Sequence, residues 1–178
     1  MTNVLSYTLC FAIIVAEFVG NLQTFAQAMT TNSIVEQKIK PYTAVPGGYL
    51  IVLREGEKLF DALERLAVDE HVPSANFTGM GFVNITFGFF DANKKEYKPG
   101  EFRNVELASM HGSIAWKEGK PSVHAHGVVG DQNFESHAGH ILNATVSTGS
   151  LEILVAVHDK KLERKKDERL GADVLNLY

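Results

Sequence analysis

Residues 121–141 read PSVHAHGVVGDQNFESHAGHI. Ser122 to Val129 and Phe134 to Ser147 carry strand-type composition, and Gly130-Asp131-Gln132-Asn133 between them is a cluster of turn residues. The stretch therefore predicts a β-hairpin. Side chains two apart on a strand share a face, so His124 and His126 point the same way. A third histidine, His140 or His137, returns after the turn. Loop length decides which one, because directly opposed residues of a hairpin share a face. With a three-residue loop, Asp131 to Asn133, His140 stands across from His124 and all three rings lie on one side. Asn133 tolerates the left-handed conformation that such a loop needs. With a four-residue loop, Gly130 to Asn133, His137 faces His126 and His140 points away. A bulge exchanges the two outcomes.

Three imidazoles on one face can converge on a metal at roughly 2.0–2.1 Å and leave a coordination position open, the mark of a catalytic rather than a structural site. Seven histidines in 178 residues is a mild excess; the concentration of four of them in this one hairpin is what points to chemistry. Imidazole donors suit Zn, Ni, Cu or Fe. The expected cofactor is a divalent metal, zinc first. Two carboxylates interrupt otherwise apolar strands, Glu106 in VELASM and Glu152 in SLEILVAV. An acid there is costly unless it is paired or solvated. Both are candidate catalytic groups, carrying a proton at the metal site or orienting a ligand histidine; each is equally a carboxylate on the solvent face of its strand. Glu106 ranks first because its strand runs toward His111.

Outward from the hairpin, most of the chain alternates in the β manner. Tyr49–Leu53, Asn76–Asp91, Phe102–Trp116 and Leu151–Val157 read as strands, with a short edge strand at Lys94–Tyr97, a break near Gly112 and a turn at Thr148-Gly149-Ser150. Gly79, Gly81 and Gly88 predict bulges or close backbone approach. Glu57–Glu70 is the exception: Leu59, Phe60, Leu63, Leu66 and Ala67 fall at helical spacing with Glu57, Asp61 and Glu64 opposite, which predicts an amphipathic helix covering one face of the sheet. The charged run Asp159–Arg169 reads as a solvated loop or short helix. The fold class is α+β, a twisted, mostly antiparallel sheet with one main helix.

Residues 1–28 hold an apolar run at Leu9–Val19, interrupted by Glu17 and with no Lys or Arg ahead of it, and the small-x-small pattern Ala26-Gln27-Ala28. They read as a signal peptide, which implies a periplasmic or secreted protein with no membrane segment after cleavage; the alternative is a membrane anchor, for which the apolar run is short of about 20 residues. Residues 29–48 read as a linker or N-terminal arm, and 49–178 as a single domain long enough to bury a proper core. The only cysteine, Cys10, lies in the signal segment, so the domain has no thiol ligand or nucleophile. A net charge of −4 and the interleaving of acids among Lys160, Lys161, Arg164, Lys165 and Lys166 argue against nucleic acid as a partner. No phosphate-cradling loop or G-x-S-x-G nucleophile elbow is present.

The segments GEKLFDALERLAVDEHV, FTGMGFVNITFGFFDANKKEY, VELASMHGSIAWKEGKPSVHAHGVVGD, AGHILNATV and LEILVAVH resemble the plant and prokaryote conserved (PPC) domain in its prokaryotic form, from about Tyr49 to Leu177. The resemblance implies the sheet-and-helix fold, assembly as a homotrimer, and metal ligation by His124, His126 and His140. It departs from the family where Ala138-Gly139 replaces a usual Gly-Gly and where Phe134 replaces a turn glycine. The plant members bind A·T-rich DNA through an added AT-hook, and no such segment occurs here. A similar fold with a His-rich zinc site occurs in acetolactate decarboxylase, an analogy of fold alone. The expected function is an exported metal-binding protein, a metalloenzyme acting on a small polar substrate that the sequence does not name. The alternatives are a DNA-binding PPC protein and a non-catalytic trimer that holds a metal.

Overall fold

The computed structural model describes residues 40–177. The signal segment and most of the expected arm lie outside them. In chain order the elements are β1 (Tyr42–Val45), β2 (Gly48–Arg54), α1 (Leu59–Asp69), β3 (Ser74–Asp91), β4 (Glu96–Lys117), β5 (Lys120–Gly130), β6 (Ser136–His158), β7 (Glu163–Asp167) and β8 (Ala172–Asn176). They form one sheet in the order β1-β2-β6-β3-β4-β7-β8, with β5 paired to both β4 and β6. Because β3 also pairs with β4 and β6, the pairings of β3, β4, β5 and β6 close on themselves. All pairings are antiparallel except a parallel bridge from Trp116 to Glu163. Among the described residues the architecture is the α+β fold expected, one helix on a mostly antiparallel sheet.

Alternation explains the layering. In β6, Leu151, Ile153 and Val155 are fully buried while Glu152 and Leu154 between them are exposed. The apolar stripe of α1, namely Leu59, Ala62, Leu63, Leu66 and Ala67, is buried in the same cluster as Phe77, Met110, Ile114 and Ala125. Each large aliphatic side chain removed from water there contributes about 1.5–3 kcal/mol. Among the described residues no helix lies on the other face of the sheet.

Four local expectations are corrected. Tyr42–Val45, inside the expected arm, pairs with β2 through a turn at Pro46-Gly47, where Gly47 has φ 79°. Lys94 and Lys95 lie in the β3–β4 turn, and Glu96 opens β4. Strand β4 does not break at Gly112: a Cβ there would sit 2.2 Å from the Phe77 ring and 2.5 Å from the His124 carbonyl, so glycine provides room for a ring rather than a bend. Nor does the chain reverse at Thr148-Gly149-Ser150. Both halves of β6 pair with β3, and the extra residues bulge out where the β3 partner shifts from Gly81 to Val83.

The charged run Asp159–Arg169 is also not a solvated loop or helix. Glu163–Asp167 forms β7 and turns through Gly171 (φ 71°) into β8. Within it Arg164 is only 7% exposed.

Candidate metal centre

The β5–β6 hairpin sets the site. Its ladder opposes His126 to His140, Gly127 to Gly139, Val129 to His137 and Gly130 to Ser136. The loop is therefore five residues, Asp131–Glu135, two longer than the shorter loop considered above but of the same odd parity. His140 is accordingly the histidine that shares a face with His124 and His126. Phe134, not Asn133, takes the left-handed conformation, with φ 62°. Asp131 closes the turn: its Oδ1 accepts from the Asn133 and Glu135 amides at 2.8 and 3.0 Å.

The three rings form a nearly equilateral triangle, with centroids 5.1 Å apart for His124–His126, 4.9 Å for His124–His140 and 5.1 Å for His126–His140. One nitrogen from each lies within 4.8 Å of the others. A tetrahedral ion with roughly 2.0–2.1 Å bonds sets its donors closer, about 3.4 Å apart, so modest ring rotation suffices. The electrostatics suit a cation ligand in its neutral form. Burial, with the charges of His124, His126 and Arg164 adding to it, pushes His140 down to about 4. Burial, then Arg164 and His126, lowers His124 as well. Both present free lone pairs at neutral pH, and metal binding needs deprotonated donors. The donor set thus fits a divalent ion. Tyr97 stacks on the His140 ring at 4.6 Å and 22°, which limits its rotation.

The remaining sequence candidates lie elsewhere. His137, opposite Val129, stacks on Phe102 at 4.4 Å and meets Asp131 Oδ2 at 3.4 Å. With Asp131 and Glu135 it makes the second compact His/Asp/Glu group among the described residues, but Asp131 there is engaged in closing the turn. His111, on β4, stands opposite His126 on β5 and bonds Ser109 Oγ at 3.2 Å. Glu106 pairs with Gly130, four residues along β5 from His126, or about 13 Å at the usual rise. Glu152 stands opposite Met80 and His140 opposite Gly88, eight residues apart on β3, or about 26 Å at the usual rise. Both carboxylates are exposed, and this chain does not bring either to the histidines. The reading of each as an acid on the solvent face of its strand accounts for their placement.

Residues that the sequence reading passed over complete the surroundings. Arg164 reaches from β7 to donate to Ser113 Oγ at 2.7 Å, and Ser113 stands opposite His124 on β4. Arg164, Tyr97, Lys95, Lys117 and Lys166 line a cleft of about 600 Å³ that includes His124 and His140. The hint in the sequence was small: Gly171 four residues after Asp167, a turn signal inside a charged run.

A family profile for the Plants and Prokaryotes Conserved (PCC) domain matches residues 42–159. Among curated proteins none matches the chain. Among solved structures, a candidate DNA-binding protein from Ralstonia eutropha JMP134 is 52% identical over 78% of this chain and 96% of that one, with a TM-score of 0.75. A plant- and prokaryote-conserved protein from Pyrococcus horikoshii is 32% identical over 73% of this chain and 92% of that one, with a TM-score of 0.66. A metal-containing protein from Archaeoglobus fulgidus is 27% identical over 78% of this chain and 98% of that one, also at 0.66. The name of the Ralstonia protein counts against setting nucleic acid aside as a partner. By the profile match, and by the extent of the likeness to the Ralstonia and Pyrococcus proteins, the chain belongs to the Plants and Prokaryotes Conserved domain family.

Proposed function

We propose that the protein binds one divalent metal ion per chain on His124, His126 and His140, with zinc the first assignment, and uses it to engage a small polar molecule in the adjoining cleft. The observation that carries this reading is the triangle of imidazoles on one sheet face, two of them held neutral and both of those opening on the cleft. When bound, the ion would polarise a carbonyl or lower the pKa of a bound water. The chain's own part is positional. Tyr97 fixes the His140 ring, and Arg164 orients the Ser113 hydroxyl beside His124. With Glu106 and Glu152 distant, His111, across from His126 on the same face, is the group this chain offers for proton transfer. The metal-containing relative from Archaeoglobus supports the ion. Met80 and Leu154, 59% and 52% exposed on the face that carries the histidines, support self-association, for which we propose a trimer. The signal-like residues 1–28 support export.

The test is a titration of chelator-stripped protein with zinc. One equivalent per chain is expected for the wild type and none for a His124→Ala/His126→Ala variant. A wild type that takes up no zinc, nickel, copper or iron overturns the reading.

The second reading is DNA binding, favoured by the name of the 52% identical relative. It is tested by titrating duplex DNA at physiological salt. An affinity clearly tighter than the roughly 10⁻⁴–10⁻⁶ M of non-specific binders establishes it. Binding no tighter than that dismisses it.

A further inference from the structure

The residue that best reports what enters the cleft is Arg164. It is more than nine-tenths buried, yet no carboxylate of the described residues bonds it. Its Nη2 donates to Ser113 Oγ, while its Nε is a buried donor without a partner. Orphaned buried donors are rare in folded proteins, and a ligand, an ion or an ordered water is what satisfies them. A guanidinium left with a free edge matches a planar carboxylate, which can accept two parallel N–H bonds.

The rest of the cleft is mostly of the same sign, Asp173 being its one carboxylate and the charge that partly offsets Arg164. Lys117 is paired with Asp173 at 2.8 Å, so this carboxylate is shared between two cations. Lys95 spends its ammonium on a backbone carbonyl, that of Glu168 at 3.1 Å, which leaves its charge uncompensated. Lys166 has only a loose, exposed contact with the Glu168 carboxylate at 3.8 Å. Positive charge therefore dominates a concave surface, where fields are focused and anions concentrated. The wall also holds Phe90, Val123 and Val174, which suit a short apolar body behind the charged head. His124 and His140 belong to the same lining, with the Arg164 charge acting on both.

We infer that this cleft recognises a small organic carboxylate, its carboxylate group seated on Arg164 and its body directed toward the histidine triangle. The inference deepens the proposed function by naming a ligand class, and it rests on that reading only for what the histidines hold.

The test is calorimetric titration with malonate, pyruvate and inorganic phosphate at low ionic strength, on metal-loaded and chelator-stripped protein, with metal content measured in parallel. The wild type is expected to bind the carboxylates. Arg164→Gln should weaken that binding at least tenfold, and Arg164→Lys, which keeps the charge and loses the fork, several-fold. Because Arg164 is buried, each variant is first checked by thermal melting. The exposed pair Lys95→Gln/Lys166→Gln, likewise checked by thermal melting, should weaken binding about threefold on its own, and more so at lower salt. Unchanged carboxylate affinity in that pair and in a folded Arg164→Gln overturns the inference, as does binding of phosphate ten times tighter than either carboxylate. Stripped protein that still binds carboxylate through Arg164 supports the anion site even where metal uptake fails. A wild type that loads metal and binds no carboxylate leaves the metal reading standing and refutes this one.

Discussion

His126 and His140 stand directly opposite each other across the β5–β6 ladder, their ring centroids 5.1 Å apart. The relationship depends on the odd length of the loop between them. One residue more or fewer would turn His140 to the other face and present His137 instead. Substitution to alanine at His124, His126 or His140 is therefore expected to lower metal affinity at least tenfold, since even partners one step removed from a metal cost 10–100-fold. His137→Ala should keep the metal. Elemental analysis per chain checks this; an empty site in His137→Ala with a full one in His140→Ala refutes the assignment.

The depressed His140 value predicts a pH-dependent stability in metal-free protein. The folded ring titrates at about 4, against an ordinary value near 6.5 in the unfolded chain. Between the two the unfolded chain binds more protons, so stability rises with pH. The contribution is fully present above about 6.5 and is lost as pH falls toward 4. Allowing for solvent at a half-buried ring, it amounts to about 1–2 kcal/mol. Denaturant midpoints from pH 8 to pH 4 should fall less steeply in His140→Gln than in the wild type. Parallel curves would contradict it.

Gly112→Ala tests the close approach of β4 to its neighbours. The added Cβ would meet the Phe77 ring and the carbonyl of His124, so either the core aromatic or the ligand strand must move. We expect a loss of about 1–3 kcal/mol, as for other overpacked sites, together with weaker metal binding. Stability read by urea denaturation at wild-type level would count against this packing.

Phe134→Gly tests the turn. Phe134 is 94% exposed and has φ 62°, a conformation costly to residues with a Cβ. After allowing for the greater chain entropy of glycine, stability should rise by roughly 0.5–1 kcal/mol. A fall measured by thermal melting would mean that the phenyl ring has a contact of its own.

Period-2 alternation was enough to place His124 and His126 on one face and to assign the buried side of each strand, because side-chain direction in a strand follows from sequence spacing alone. Helical spacing did the same for Leu59, Leu63 and Leu66. Parity of the loop was narrowed to two outcomes, and family resemblance pointed to the one that holds, although the loop proved five residues long and Phe134, not Asn133, took the left-handed position. Registers between distant strands are different in kind. They depend on which strands meet and where bulges fall, and these are decided by packing of the whole sheet. That is why Glu106 and Glu152, each conspicuous in its own strand, lie far from the histidines, and why β6 runs on through Thr148-Gly149-Ser150 despite its turn residues. The β7–β8 hairpin was hidden for the same reason. Nothing in the local pattern of Glu163–Asp167 distinguishes a solvated run from a strand laid beside β4. Only the tertiary structure buries Arg164 against Ser113 and brings its charge to His124 and His140, because long-range contact, and not spacing along the chain, sets which charges share a cleft.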